Sequence, residues 1–344
     1  MNSNHITRRF RLVELFVVIV IIVVLLGLLI PFVNSAREAS RRIACMQNSQ
    51  QIGLGMHNFL STYNSFPPSA SVTKATGGGT QTVGGWSFLV RLLPYMDHDA
   101  LFKTLPTDGD PEDTSNSAIV AALNTQLSDL VCPSGPRGSA WRNVGAGITN
   151  YKAMGATTRN SLVIAANPQA TPPYGTAKRH PDGAIFPGTG TLSSDFVDGM
   201  SHTIVMIETM DEVASRWSVG KEVTLVGLPQ KSSPTGATPQ DDFSYFAPPG
   251  YGRNWGDSSC ASAAGVRTFL TYDFSPKGAD AGQYEDAGFA QTPPAYGPSS
   301  AHPAVVICCL GDGSGQALSK RVDAANFFFL ITKSGKDPFY FPGM

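Results

Sequence analysis

The sequence has few charged side chains and no excess of either sign. Charged residues make up 15% of the 344 residues, and 25 lysines and arginines stand against 26 aspartates and glutamates. A nucleic-acid-binding surface needs clustered positive charge, and an acidic tail would indicate a cationic partner. We therefore expect no nucleic-acid partner.

Cysteine is also scarce, and its spacing matches no common metal or redox pattern. There is neither a CxxC pair nor the Cys/His spacing of a zinc site, so we expect no metal and no cofactor. Two alternatives stay open for the thiols. In an exported body Cys132 pairs with Cys260 or Cys308; otherwise the thiols are free and buried. The five cysteines are Cys45, Cys132, Cys260, Cys308 and Cys309.

Motifs of nucleophilic catalysis are missing as well. No GxSxG elbow is present, and Ser201 and His202 near Asp198 do not make a triad by adjacency alone. A turn at Asp198 that leads into a strand is the better interpretation. A calcium site built from Asp195, Asp198 and Glu208 would have suitable oxygen ligands, but no characteristic spacing supports it. We expect a protein that is not an enzyme.

The N-terminus contains a long apolar run with a carboxylate at its start. Residues 15–33 are nineteen residues without a charge, which in a helix matches the roughly 30 Å of hydrocarbon in a bilayer. Glu14 directly precedes the run, and an ionisable group so placed is costly unless it has a partner, which indicates function. Arg8, Arg9 and Arg11 place the N-terminus in the cytoplasm by the positive-inside rule.

Two other interpretations of this segment are signal sequences. One is a cleaved secretory signal with its site near residues 33–36, and the other is a twin-arginine signal at residues 7–12. The length and hydrophobicity of the run, together with Glu14, favour an uncleaved anchor over both.

The pattern predicts that the helix continues beyond the apolar run. Residues 32–63 contain no proline and have apolar residues at helical spacing. Pro31 should bend the helix without ending it. Pro67 and Pro68 forbid continuation, so the helix should end before Phe66.

The rest of the chain favours strands and loops, since most of the 35 glycines and 25 prolines follow residue 64. The predicted fold is α+β: the long helix packs on one face of an antiparallel sheet, and the other face is free for partners. Asp312 and Gly313 form a hairpin turn signal that His302 can clamp. Residues 71–85 should form a loop, and residues 227–300 should be long loops or a loop-rich insertion between strands. Helices are expected at 86–105 and 118–130, and strands at 148–154, 183–186, 203–208, 216–219, 223–226 and 305–310.

The leader at residues 8–15 resembles that of type IV pilins and type II secretion pseudopilins, which implies a pilin-like α+β fold. The resemblance implies that a prepilin peptidase cuts between Arg9 and Phe10 and methylates Phe10. It also implies that Glu14 pairs with the N-terminal amine of a neighbouring subunit. Arg9 stands where that family has glycine. Two alternatives therefore remain, a processed leader and an unprocessed anchor.

Further motifs resemble a large bacterial family in which a prepilin-like leader precedes a domain of unknown function. Its C-terminal motif is a histidine, nine residues, then Asp-Gly, here His302, Asp312 and Gly313. The other matching segments are 36–42, Cys45, 51–53, 57–58, 65–68, 85–87, 92–95, 132–134, 149–151 and 198–208.

These patterns together predict a single-pass inner-membrane protein. Residues 1–9 form a basic leader, 10–33 the transmembrane helix, 34–64 its amphipathic continuation, and 65–344 a periplasmic α+β domain. The expected function is a non-enzymatic pseudopilin-like subunit that assembles through its helix with copies of itself or related subunits. The alternative is a membrane-tethered periplasmic module that binds a carbohydrate or a surface polymer.

Overall fold

The computed structural model describes most of the chain outside residues 229–297. The described residues are 12–73, 82–106, 109, 111–112, 115–135, 147–158, 181–209, 215–228, 298, 300–319, 322 and 324–335. Nearly all of the predicted insertion at 227–300 therefore lies outside the described residues, as do Arg9, Phe10 and Cys260. The chain divides into two compact units, residues 1–43 and 44–344.

A single long helix, α1, runs from Leu12 to Tyr63. It continues through Pro31, as predicted. It ends where Asn64 takes a left-handed conformation with φ 55°, and the Asn64 amide donates to the carbonyl of Leu60 at 2.8 Å. This is a common way to close a helix, and the prolines that follow prevent its extension.

The first unit presents only apolar helix surface along residues 15–33. Every large apolar side chain described in this stretch is at least 43% exposed. The helix is long and apolar enough to cross a membrane, with a mean hydropathy of 3.4 in its most apolar window. A membrane anchor and a signal sequence share this property.

The second unit is built on a mixed sheet, which in the described residues has five strands in the order β5-β3-β4-β6-β7. Three of its four pairs are antiparallel. At one edge β3 and β5 are parallel, so the predicted antiparallel sheet is extended by one parallel strand. The α+β prediction is confirmed. The strands are β3 Tyr151–Thr158, β4 Ile204–Glu208, β5 Thr224–Leu228, β6 Val305–Leu310 and β7 Gly315–Ser319.

Both faces of this sheet are covered. On one face Ile52, Met56 and Phe59 of α1 pack in a cluster with Met206 and Cys309. The sheet's other core cluster includes Phe327 and Leu330 from helix α5, which spans Ala324–Ile331. The expectation of a free second face was wrong, because the apolar C-terminal helix buries it.

Short elements fill the segment between α1 and β3. The predicted helix at 86–105 is broken into α2 Phe88–Leu92, a 3-10 turn at Leu93–Tyr95 and α3 Asp99–Phe102. Where a helix was predicted at 118–130, the structure has α4 Ser117–Leu123 followed by a 3-10 turn at Ser128–Leu130. Pro94 is the second residue of the first 3-10 turn, and α2 ends before it because a proline cannot continue the preceding helical hydrogen bonding.

Three local predictions differ from the structure. Residues 71–85, expected to be a loop, contain a small antiparallel pair, β1 Ser71–Thr73 and β2 Thr82–Gly84. Residues 183–186 join their neighbours through single backbone bonds, such as Ile185 N to Met154 O at 3.2 Å, and form no strand. Residues 216–219 make only isolated bridges.

Candidate functional site

The predicted processing and assembly residues are at or before the start of α1. Arg9 and Phe10 lie outside the described residues. Glu14 lies in the first turn of α1 by its backbone, and its side chain is not among those described. The structure thus places the carboxylate-bearing residue immediately before the exposed apolar surface of residues 15–33.

A second group of functional side chains lies deep in the body. Cys45, Cys132, Glu208 and His302 are all fully buried, and their sulfur, oxygen and nitrogen ligand atoms lie within 4.8 Å of one another. Each comes from a different element: α1, the loop after the Ser128–Leu130 turn, the end of β4, and the segment before β6. Among the described residues, this is the one group of three or more His, Cys, Asp and Glu side chains close enough to hold a metal ion.

The two cysteines of this group form a disulfide. Cys45 and Cys132 are 87 positions apart in sequence, and their Cα atoms are 5.3 Å apart, within the usual range for a disulfide. The proposed pairing of Cys132 with Cys260 or Cys308 was wrong, because Cys132 is bonded to Cys45, and Cys308 is a free buried thiol. The bond joins α1 to the loop that precedes β3.

His302 and Glu208 flank the disulfide. The Nε2 atom of His302 is 3.5 Å from the Sγ atom of Cys132, and the backbone amide of His302 donates to Ser300 Oγ at 3.1 Å. The Oε2 atom of Glu208 accepts a hydrogen bond from the backbone amide of Ile307 at 3.3 Å. An imidazole and a carboxylate are therefore held against the sulfur atoms in a dry interior.

Tyr151, the first residue of β3, and Asn150, directly before it, each form a hydrogen bond with the backbone of one of the two cysteines. The hydroxyl of Tyr151 donates to the carbonyl oxygen of Cys45 at 3.0 Å. The side chain of Asn150 accepts from the Cys132 amide at 2.9 Å and donates to the carbonyl of Thr209 at 3.1 Å. Burial, and then the nearby negative charge of Glu208, raise the pKa of Tyr151 well above its ordinary value. Tyr151 is therefore a neutral hydrogen-bond donor at physiological pH.

The free thiols on β6 differ from the disulfide pair in that burial favours their protonated, neutral form. Cys308 and Cys309 are fully buried, and burial raises the pKa of Cys308 to about 12 and that of Cys309 further. A neutral thiol is a poor nucleophile and a poor metal ligand. The thiol chemistry of the described residues therefore belongs to Cys45 and Cys132.

His302 and the Asp312–Gly313 pair occupy two different places. His302 lies in the buried group. Asp312 and Gly313 form the turn between β6 and β7: Asp312 Oδ1 accepts from the amide and hydroxyl of Ser314 at 2.9 and 2.6 Å. Gly313 has φ +84°, a conformation that favours glycine. The predicted hairpin is confirmed.

Among the described residues, Asp195, Asp198 and Glu208, considered above for calcium, do not form a group close enough to hold a metal ion. Asp198 Oδ2 accepts from the Gly335 amide at 2.6 Å, and Asp195 Oδ2 accepts from the Leu192 amide at 3.1 Å. The Nδ1 atom of His202 lies 3.3 Å from the backbone carbonyl oxygen of Asp198. Asp195 and Asp198 precede the first residue of β4, whereas Glu208 is its last residue and belongs to the buried group.

The sequence offered no local signal for the buried group. Its members are separated by more than seventy residues each, so no short motif links them. The available hint was that each of the four lies in a segment or motif that carries the family resemblance.

A known protein family matches most of this chain, including the segments that contain the buried group. Residues 34–325 match the family described as a protein of unknown function (DUF1559). The match begins directly after the apolar run, which agrees with the expected order of a leader followed by a domain of unknown function. Comparisons with curated proteins and with solved structures give no match. Because the match spans most of the chain, this protein belongs to the DUF1559 family.

Proposed function

We propose that the protein is a non-enzymatic, pseudopilin-like subunit of the inner membrane that assembles through α1 with copies of itself or related subunits. The system would be of the type II secretion or pilus kind. The observation that carries this proposal is the apolar surface of residues 15–33, exposed along its whole length and preceded by Glu14. A surface of this length must be covered by lipid or by other apolar helices.

Glu14 gives that helix surface a preferred register. Burying a carboxylate in hydrocarbon costs several kcal/mol. An opposite charge at about 4 Å returns roughly 4 kcal/mol at an effective dielectric of 20. In a processed subunit the amine of Phe10 on a neighbour supplies that charge, after cleavage by a prepilin peptidase. A polar residue within an apolar interface is a known way to set helix register.

The body is proposed to face the periplasm. Arg8, Arg9 and Arg11 before the apolar run favour a cytoplasmic N-terminus. The Cys45–Cys132 disulfide supports export, because disulfides persist in oxidising compartments. Alkylation of acid-quenched cells followed by mass spectrometry should find this cysteine pair oxidised; a fully reduced pair would contradict the proposed location.

The assembly claim is tested by replacing Glu14 with leucine. A photo-crosslinking residue at Phe16, which is 65% exposed, should link neighbouring subunits in membranes of the native cell. Glu14→Leu should leave membrane insertion unchanged and abolish these crosslinks. Unchanged crosslinking in Glu14→Leu would refute assembly through this carboxylate.

The matched control is Glu38→Leu in the same helix. Glu38 forms an ion pair with Arg41 at 2.6 Å, outside the apolar run. An exposed pair of this kind contributes little. Its replacement should leave crosslinking unchanged, which separates loss of a register-setting charge from a general effect of losing an acidic residue.

A second candidate function is a membrane-tethered binding module for a carbohydrate or a surface polymer. Arg9 favours it, because a large cationic residue stands where the peptidase substrate has glycine. Mass spectrometry of the mature N-terminus distinguishes the two. A methylated Phe10 supports the pseudopilin-like subunit, whereas an intact start at Met1 or Asn2 supports simple tethering.

A further inference from the structure

We infer that Cys45, Cys132, His302 and Glu208 form a binding site for a zinc-type divalent cation when the Cys45–Cys132 disulfide is reduced. The metal then replaces the disulfide as the link between α1 and the body. This inference rests on the buried group alone and is independent of whether the subunit assembles into a filament.

The donor set suits a tetrahedral site for a borderline-soft ion. Two thiolates, one imidazole and one carboxylate are ligands that zinc accepts, and a closed set of four is typical of structural zinc sites. All four groups are buried and their ligand atoms lie within 4.8 Å of one another. A structural zinc site is closed by four protein ligands and needs no open position for a water molecule.

The distances are close to those of a coordinated ion. Bonds of about 2.3 Å to sulfur and about 2.05 Å to nitrogen, at a tetrahedral angle, hold those two atoms roughly 3.6 Å apart. The Cys132 Sγ to His302 Nε2 distance is 3.5 Å. The sulfur atom of Cys45 then needs only to separate from that of Cys132 to a comparable distance, once the bond between them is broken.

The disulfide lies beside two polar side chains, His302 and Glu208, that a disulfide by itself does not require. It is a neutral, largely apolar group that has no need of an imidazole and a carboxylate, and burying polar groups is costly. Glu208 and His302 are each fully buried beside it. A site that alternates between disulfide and metal uses both side chains as ligands.

The chemistry balances with a dithiol as the named reductant. The dithiol gives two electrons and two protons to the Cys45–Cys132 disulfide, the sulfur–sulfur bond breaks, two thiols form, and the dithiol becomes a disulfide. Zn²⁺ then displaces both thiol protons to solvent and accepts lone pairs from two thiolates, His302 Nε2 and a Glu208 oxygen. Because a divalent cation replaces two protons, the net charge of the buried site does not change.

The test uses the full-length protein in detergent, with Co²⁺ as a spectroscopic probe and Zn²⁺ as competitor. After reduction with a dithiol, wild type should bind one Co²⁺ with a thiolate-to-cobalt charge-transfer band and the intense visible bands of tetrahedral cobalt. Zn²⁺ should abolish these bands and raise the melting temperature of the reduced protein. The oxidised protein should show neither effect.

The ligand variants are His302→Gln and Glu208→Gln. Their folding is first checked in the oxidised state, where the disulfide is intact. Each should weaken Co²⁺ binding by at least about tenfold, since even outer-shell partners have effects of this size. Each should also lose the stabilisation by Zn²⁺.

The control is Cys308→Ala, which removes a thiol that belongs to the cluster covered by α5. It should bind Co²⁺ as wild type does. If reduced wild type shows no charge-transfer band, or if both ligand variants bind as tightly as wild type, the inference is wrong. Loss of binding in Cys308→Ala with retention in His302→Gln would move the site to the β6 thiols and overturn it equally.

Discussion

The Nε2 atom of His57 on α1 lies 3.0 Å from the carbonyl oxygen of Gly311, in the turn between β6 and β7. The two residues are 254 positions apart, so the N-terminal helix and the last hairpin of the sheet meet directly. With the oxygen as acceptor, the histidine must carry a proton on Nε2. The turn between β6 and β7 is thus a contact point for α1.

Gly53 on α1 should not tolerate alanine. A Cβ atom there would lie 2.7 Å from the Sγ atom of Cys309 and 2.8 Å from the carbonyl oxygen of Gly313. We expect Gly53→Ala to lower the free energy of unfolding by about 1–3 kcal/mol through overpacking, although alanine is the better helix former. Thermal unfolding followed by circular dichroism measures this. Gly27→Ala in the same helix is the control, because nothing lies within 4 Å of its Cβ position; equal losses in both variants would contradict the explanation.

A double-mutant cycle tests the contact between His57 and the turn. A Cβ at Gly313 would come 2.9 Å from Cδ2 of His57, and its φ of +84° already disfavours alanine. The backbone cost is the same in any background, whereas the steric cost disappears when the imidazole is removed. Gly313→Ala should therefore destabilise the His57→Ala protein less than wild type, with a coupling of about 0.5–3 kcal/mol. Strict additivity in denaturant unfolding would refute direct contact.

Replacing Asn150 should lower the free energy of unfolding more than replacing an exposed asparagine that accepts a similar hydrogen bond. Replacing it with alanine leaves the amide of Cys132 and the carbonyl of Thr209 buried without their side-chain partner. Each such group costs about 1–3 kcal/mol. Asn116→Ala is the matched control: the amide oxygen of Asn116 accepts from Ala118 N at an exposed helix start, and its loss should cost about 1 kcal/mol. Equal losses in urea unfolding would show that burial at Asn150 is unimportant.

The sequence predicted those elements whose signals are local. The end of α1 follows from two prolines and a preceding residue that can turn left-handed, and the β6–β7 hairpin follows from Asp312 and Gly313. Both signals depend on backbone conformations that only a few residue types favour. Such features can be read without knowing what packs against them.

Features that depend on distant partners could not be predicted in this way. The Cys45–Cys132 disulfide joins positions 87 apart, and the parallel pair of β3 and β5 joins strands between which β4 lies along the chain. Helix α5 is a short apolar run, whose periodicity alone does not separate a buried helix from a buried strand. The buried group with His302 and Glu208 depends on all of these placements and was missed for the same reason.

The alkaline stability of the body should depend on Cys308. Burial raises its pKa to about 12 in the folded protein, against about 8.5 in an unfolded chain. The folded state therefore holds the proton more tightly. Its contribution to the free energy of unfolding is fully present below about pH 8.5 and declines by up to about 1.4 kcal/mol per unit as the pH rises towards 12.

Cys308→Ala should flatten this decline. Urea unfolding at about pH 7.5 and about pH 10.5 should show a smaller loss of stability with pH in the variant than in wild type. Val306→Ala is the control, because Val306 packs in the same buried cluster as Cys308 but does not titrate. It should lower stability by a similar amount at both pH values and keep the wild-type slope. If wild type and Cys308→Ala lose stability in parallel, the thiol proton of Cys308 does not contribute to alkaline unfolding, and the slope must come from other buried groups such as Tyr151 and Cys309, whose pKa values burial also raises.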